Sequence, residues 1–125
     1  MLFRSNEFLD TCPVRQQIVY QDFCFERRVG VDNQDRLVFV AQEKDGSLVP
    51  RFSGDNIMYI QEFQNHSVLL NQLNARAMNH PLSALFIDYG YEKTVSGETL
   101  QAIRSHQYEH PLCSPGEADL SVHVD

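Results

Sequence analysis

Ala84-Leu85-Phe86-Ile87 runs directly into Asp88-Tyr89-Gly90-Tyr91, and the fold class turns on this octet. A short continuous apolar run that stops at turn-forming residues reads as a buried strand, the habit of parallel sheets. Before it lies the clearest helix of the chain. Leu69, Leu70, Leu73, Ala77 and Met78 form one stripe at helical spacing. Asn65 or Ser67 can accept from the free amides of its first turn. Asn79-His80-Pro81 ends it, because the residue before a proline avoids helical torsions. Ahead of the helix, Ile57 to Ile60 reads as a short strand ending at Glu62. Strand, helix and buried strand in that order predict an α/β protein with a parallel sheet. Ligands of such sheets bind just past the carboxyl ends of the strands, which makes Asp88 a candidate site residue. The alternative is that Asp88 merely caps or turns the chain at the strand end.

Upstream, residues 16–42 read as strands. Gln17-Ile18-Val19-Tyr20 is rich in β-formers, Phe23 and Phe25 alternate with Cys24 and Glu26, and Arg36 to Val40 returns after the turn chemistry of Asp32-Asn33-Gln34-Asp35. An antiparallel hairpin follows. Gly46, Pro50 and Gly54 mark 43–56 as loop, and 92–98 is a polar loop around Gly97. Residues 99–106 fit neither period. In the tail, Leu120, Val122 and Val124 alternate with Asp119, Ser121, His123 and Asp125, which predicts a strand.

Composition excludes several classes. With 125 residues the chain is one domain, and a net charge of −7 argues against nucleic acid, whose phosphates need a basic face. No apolar run approaches the ~20 residues that span a bilayer, and the first ten residues resemble neither a signal nor a transit peptide. Three cysteines without a C-x-x-C favour reduced thiols over a disulfide framework.

Chemistry-bearing residues are few. His106, His110 and Cys113, with His123 or Asp119 as a fourth, have types that ligate zinc, but they lack the paired spacing of strong zinc motifs, and solvated loop histidines are the plainer reading. Cys12 has no base beside it in the sequence and reads as a structural thiol. Glu7 and Asp10 flank Phe8-Leu9, and paired carboxylates suit acid–base work or a cationic ligand. No G-x-G-x-x-G, P-loop or H-E-x-x-H occurs.

Four segments, in order, resemble one family. SNEFLDTCPVRQ (5–16) is similar to the NEFFDALPVRQ segment of the MidA-like (DUF185) methyltransferases, and FERRVGVDNQDRLVFV (25–40) resembles the hairpin that follows it there. Glu62, a helix and then ALFIDYGY (84–91) resemble the family's E…LIIDYG. GETLQAIRSHQYEHPLCSPGEADLSVHVD (97–125) matches the family's last block almost residue for residue. Departures are few: Cys12 replaces a small residue, and Pro81-Leu82-Ser83 stands where a Gly-Gly is usual.

The resemblance implies a partial class I methyltransferase sheet, Rossmann-like, with strands four to seven. Leu2–Arg4 would end the fourth strand, Ala84–Ile87 would be the fifth, and Thr99–His106 and Leu120–Val124 the antiparallel last two. Residues 16–42 would be a hairpin inserted between the fourth and fifth. It implies S-adenosyl-L-methionine as cofactor and a protein arginine as target, in a respiratory complex I subunit or a bacterial counterpart, and thus a role in complex I assembly. The compartment would be the mitochondrial matrix or a bacterial cytoplasm. The family's glycine-rich donor loop lies upstream of the NEFF-D segment, so residues 1–125 are expected to be the C-terminal part of the domain. Alone they are expected to be inactive and prone to self-association. Glu7 and Asp10 would be catalytic, with Asn6, Asp88 and Tyr89 shaping the substrate pocket. Two other readings stand beside this one: a non-catalytic interaction fragment, and a small zinc-binding protein.

Overall fold

The computed structural model describes residues 1–20, 23–49, 59–92 and 97–124. Ile57, the loop glycine Gly54, the middle of the 92–98 loop and Asp125 lie outside these residues. In chain order the elements are β1 (Leu2–Asn6), a 3-10 turn (Leu9–Thr11), β2 (Val14–Tyr20), β3 (Phe23–Val31), β4 (Leu37–Gln42), β5 (Leu48–Val49), β6 (Tyr59–Gln64), α1 (Ser67–Ala77), β7 (Ser83–Ile87), β8 (Gln101–Arg104), β9 (Gln107–Glu109) and β10 (Asp119–Ser121).

β1 and β7 pair in parallel, from Leu2 opposite Ser83 to Asn6 opposite Ile87. A parallel pair requires a long crossover, and here it carries both the helix and the inserted strands. Neither expected cap forms: His66 is the N-cap and its side chain caps nothing, while Asn65 Oδ1 accepts from the Ser67 amide at 2.9 Å from one residue further out. The octet's strand is real, but it is not buried on both faces. Ile87 is 52% exposed and Leu85 47%, and α1 buries none of its residues, with Met78 at 81%. Among the described residues nothing covers this apolar surface, so the run of four apolar residues gave the strand and overstated its burial.

The insertion is larger than a hairpin. Its five strands pair antiparallel in the order β5-β4-β3-β2-β6. The strand expected at 57–60 is Tyr59–Gln64, and it belongs to this sheet, with Ile60 opposite Ile18 and Glu62 opposite Gln16. Local alternation reveals a strand but not its partner, which is why β6 read as part of the parallel unit. Ile18 and Ala41 are buried on the inner face, and so is the polar Gln16. The β3–β4 turn closes as its residues predict. Asp32 accepts from the Gln34 and Arg36 amides at 2.8 and 3.0 Å and from Arg36 Nε at 2.9 Å. The Arg36 guanidinium and these amides pull the Asp32 carboxyl down to about 2.

Residues 99–106 are not one strand. β8 ends at Arg104, Ser105 and His106 both take positive φ (51° and 64°), and β9 returns antiparallel. Two consecutive left-handed residues form the primed turn that suits a tight hairpin, and neither Ser nor His advertises it. β10 pairs antiparallel with β8, so the expected edge pair exists, though the strand covers Asp119–Ser121 only. Val122 and Ala102 are buried beneath it, whereas Leu120 is exposed.

The tail joins the parallel pair through a bridge between Gly90 and Val124. A Cβ on Gly90 would lie 2.3 Å from the Val124 carbonyl oxygen, so the backbone itself would have to move. Gly90→Ala is expected to cost about 1–3 kcal/mol, the usual penalty of overpacking. A denaturant midpoint equal to that of the parent protein would show that the tail is free to shift.

Candidate functional site

The carboxyl ends of β1 and β7 lie side by side, and the chain leaves them in a loop lined with acids. Glu7 donates its amide to Ile87 O at 2.9 Å, extending the parallel register by one residue. It then turns sharply, with φ at +48°. That conformation costs a non-glycine residue roughly 1 kcal/mol or more, and such strain gathers at functional sites.

The strain is held by Asp88. Its Oδ2 accepts from the amides of Phe8, Leu9 and Asp10 at 3.0, 2.7 and 3.3 Å, and its Oδ1 from Tyr89 N at 2.9 Å. These are the free amides at the start of the 3-10 turn, where a carboxylate is favoured by hydrogen bonding and by dipole. Asp88 therefore caps the acid loop. The carbonyl side of the same turn is held too. Gln64 Nε2 donates to Leu9 O and Cys12 O at 2.9 and 3.3 Å, and Val122 N donates to Asp10 O at 2.9 Å.

Asp10 is half-buried, and its Oδ1 is shielded from water with no hydrogen-bond partner among the described residues. Burial first, then the charges of Asp88 and Glu7, raise its pKa above the usual 3.8. Three carboxylates thus lie within electrostatic reach of one another. Asn6, the last residue of β1, and Tyr89 are exposed at the rim. The loop brings Asn6, Glu7, Asp10, Asp88 and Tyr89 to one end of the parallel pair. Cys12 behaves oppositely to a nucleophile: burial and the charges of Asp10 and Asp88 push its thiol up.

The sign of the Asp10 shift sets a pH dependence. The folded chain keeps this proton just above pH 3.8, where the unfolded chain has lost it, so Asp10's contribution to stability falls as pH rises through that window and levels off above its own pKa. A bound cation favours the carboxylate and opposes the shift. Binding of an organic cation beside Asp10 is expected to release a proton in this window and to weaken as pH falls through it. Calorimetry in buffers of different ionisation enthalpy checks this, and binding without proton release would exclude Asp10 as a contact.

Two other residues of this neighbourhood had no expected site role: Glu62, read only as a strand end and as part of the family resemblance, and Gln64. Glu62 and Gln64 lie two apart on β6 and so share a face. Glu62 Oε1 accepts from Gln16 Nε2 at 2.6 Å and Leu100 N at 3.1 Å, and Oε2 from Thr99 N at 3.0 Å and the Thr99 hydroxyl. Gln16 Oε1 in turn accepts from Arg27 at 3.2 Å, and that guanidinium lies 3.6 Å over the Phe39 ring and pairs with Glu98. The alternation of β6 placed Glu62 and Gln64 on one face, but no local signal named backbone groups as their partners. The zinc candidates have other company: His110 packs on Phe39, His123 on Tyr91, and no three potential ligands cluster among the described residues.

An acid loop at the carboxyl ends of a parallel pair, behind a crossover that carries a helix, defines the class: an α/β protein with its site at the strand ends. Its backbone matches that of a "COG1565 superfamily member" from Burkholderia thailandensis bound to S-adenosyl-homocysteine, with a TM-score of 0.68 at 24% identity over 99% of this chain and 34% of that one. The chain belongs to the family described as "Putative S-adenosyl-L-methionine-dependent methyltransferase", which matches residues 1–125. It is similar to "Protein arginine methyltransferase NDUFAF7, mitochondrial" of Danio rerio (26% identical, 99% of this chain, 30% of the relative) and of Mus musculus (29% identical, 99% and 29%). The chain spans about 30% of the length of these curated relatives.

A methyl donor of this type rests on backbone amides that only glycine lets approach closely. No two glycines of the sequence are two apart, Gly46, Gly97 and Gly116 have nothing within 4 Å of a built Cβ, and Gly90 is filled by Val124. Among the described residues no glycine turn fits a donor cradle.

Proposed function

We propose that this chain forms the acceptor-binding side of an S-adenosyl-L-methionine-dependent protein-arginine methyltransferase. The observation that carries the reading is the pinned acid loop, with Asp10 half-buried beside Glu7 and Asp88. A guanidinium, with pKa above ~12, is a poor nucleophile while protonated. Carboxylates that bind it in two places orient it and draw charge away from the attacking nitrogen. Glu7, exposed on its strained turn, is the group open to an incoming cation, and half-buried Asp10 adds its charge from behind. Asn6 and Tyr89 border the pocket, and Asp88 fixes the loop. Positioning supplies most of the effect in a transfer of this kind.

In this reading β1, β7, β8 and β10 are the fourth to seventh strands of the class I sheet. The acceptor is a protein, and by the family resemblance it belongs to respiratory complex I or a bacterial counterpart. The compartment is then the mitochondrial matrix, or the cytoplasm of a bacterium. No helix among the described residues is long and apolar enough to cross a membrane. Residues 1–125 alone would self-associate through the exposed apolar side chains of β7 and α1, Leu85, Ile87 and Leu70 among them. The same exposure favours the second reading, a non-catalytic fragment that binds a partner through β7 and α1.

The test is incubation of the full gene product with S-adenosyl-L-methionine and arginine-bearing peptides, followed by mass analysis. Methylated arginine is expected. Methyl groups on another residue type, or on none, would overturn the reading.

A further inference from the structure

The inserted sheet reaches the acid loop through one face of one strand. Glu62 has four donors on its two oxygens, three of them from Thr99 and Leu100. Thr99 Oγ1 then accepts from His123 N at 2.9 Å. His123 is flanked by Val122, whose amide holds Asp10 O at 2.9 Å, and by Val124, whose amide holds Tyr89 O at 2.8 Å. Two residues along β6, Gln64 donates to Leu9 O and Cys12 O. Glu62 and Gln64 thus grip the same 3-10 turn by two routes, one through the tail and one direct, while Asp88 holds its amides from the other side.

We propose that Glu62 is a positioning residue of the acid site, acting through Thr99 and the 122–124 segment to fix Asp10, so that the inserted sheet is part of the substrate-binding apparatus. The inference rests on the reading of the acid loop given above. Glu62 touches no acceptor; its carboxylate organises amides that would otherwise face inward without a partner, and such groups hold geometry because they are costly to leave unmade. Glu62→Gln replaces one acceptor oxygen with a donor that opposes either the Thr99 pair or the Gln16 and Leu100 pair.

Two measurements test it. Amide hydrogen exchange of Glu62→Gln is expected to speed roughly tenfold or more at residues 9–12 and 122–124, the effect of one lost buried hydrogen bond, while the β3–β4 pairing keeps its parent rate. In the full gene product, turnover with an arginine peptide should fall by a similar factor with donor affinity unchanged. Should Glu62→Gln fail to fold, Thr99→Val removes the hydroxyl link alone and should act in the same direction, and Thr99→Ser should restore the parent behaviour. Parent exchange rates at 9–12 in both Glu62→Gln and Thr99→Val would overturn the proposal, and so would faster exchange with turnover intact. If the parent protein methylates no arginine, the functional reading fails instead, and it does so independently of the exchange result.

Discussion

Asp88→Ala is expected to lower stability by about 2–3 kcal/mol and to abolish activity in the full gene product. One carboxylate accepts from four backbone amides, of Phe8, Leu9, Asp10 and Tyr89. Loss of an ordinary capping residue costs about 1 kcal/mol, and a partly buried amide left without a partner about 1–3 kcal/mol. Water can reach the amide of Phe8, which is exposed, so the sum falls short of four full penalties. The left-handed turn at Glu7 then has nothing to hold it. Asp88→Asn keeps one acceptor oxygen and should lose less than half as much stability. Chemical denaturation of the three proteins orders them; an Asp88→Ala variant as stable as the parent would mean that the 3-10 turn is held by Gln64 and Val122 alone.

The second large effect concerns chemistry rather than stability. Glu7→Gln and Asp10→Asn should each lower turnover by ~10-fold to 10²-fold, the range of a charge-assisted hydrogen bond to a bound ion. Turnover should fall more than donor affinity, because both carboxylates lie on the acceptor side in this reading. Stability should part the two variants. Glu7 is exposed, and its removal should be neutral. Asp10 carries a repulsive load from burial, Asp88 and Glu7, so Asp10→Asn should stabilise the protein above the window of its raised pKa. A variant that gains stability and loses turnover marks a site built at the expense of the fold. Equal turnover in parent and Glu7→Gln would remove Glu7 from the mechanism.

How much of this was legible in the sequence depended on whether the signal was local. The helix, the β7 strand and the Asp32 turn each carry their reasons within a few residues, and each formed where expected. Asp88 was legible as a choice between site and cap. The geometry makes it a cap, and the loop that it caps carries the other acids. What failed was pairing. β6 carries no mark of its partner, and only its register against Gln16 and Ile18 assigns it to the inserted sheet. The turn at Ser105-His106 was invisible because its torsions are imposed by the β8–β9 ladder, not by glycine. Glu7 and Asp10 were legible as a pair of carboxylates, but two acids around Phe8-Leu9 are commonplace, and their assignment to a site came from the family resemblance. Glu62 had no readable role, because its partners are Gln16 on the neighbouring strand and Thr99 and Leu100, all distant in sequence.

The central claim is that the acid loop receives a guanidinium, and its most direct measurement is carboxyl-carbon NMR of Glu7 and Asp10 in the full gene product during titration with an arginine peptide. Both resonances should move together at the peptide's own binding midpoint, and the Asp10 pKa should drop towards the ordinary carboxylate range as the cation offsets Asp88 and Glu7. A lysine peptide, which offers no planar fork, should produce a smaller shift. Saturating arginine peptide that leaves both resonances and the Asp10 pKa where they were would contradict the account.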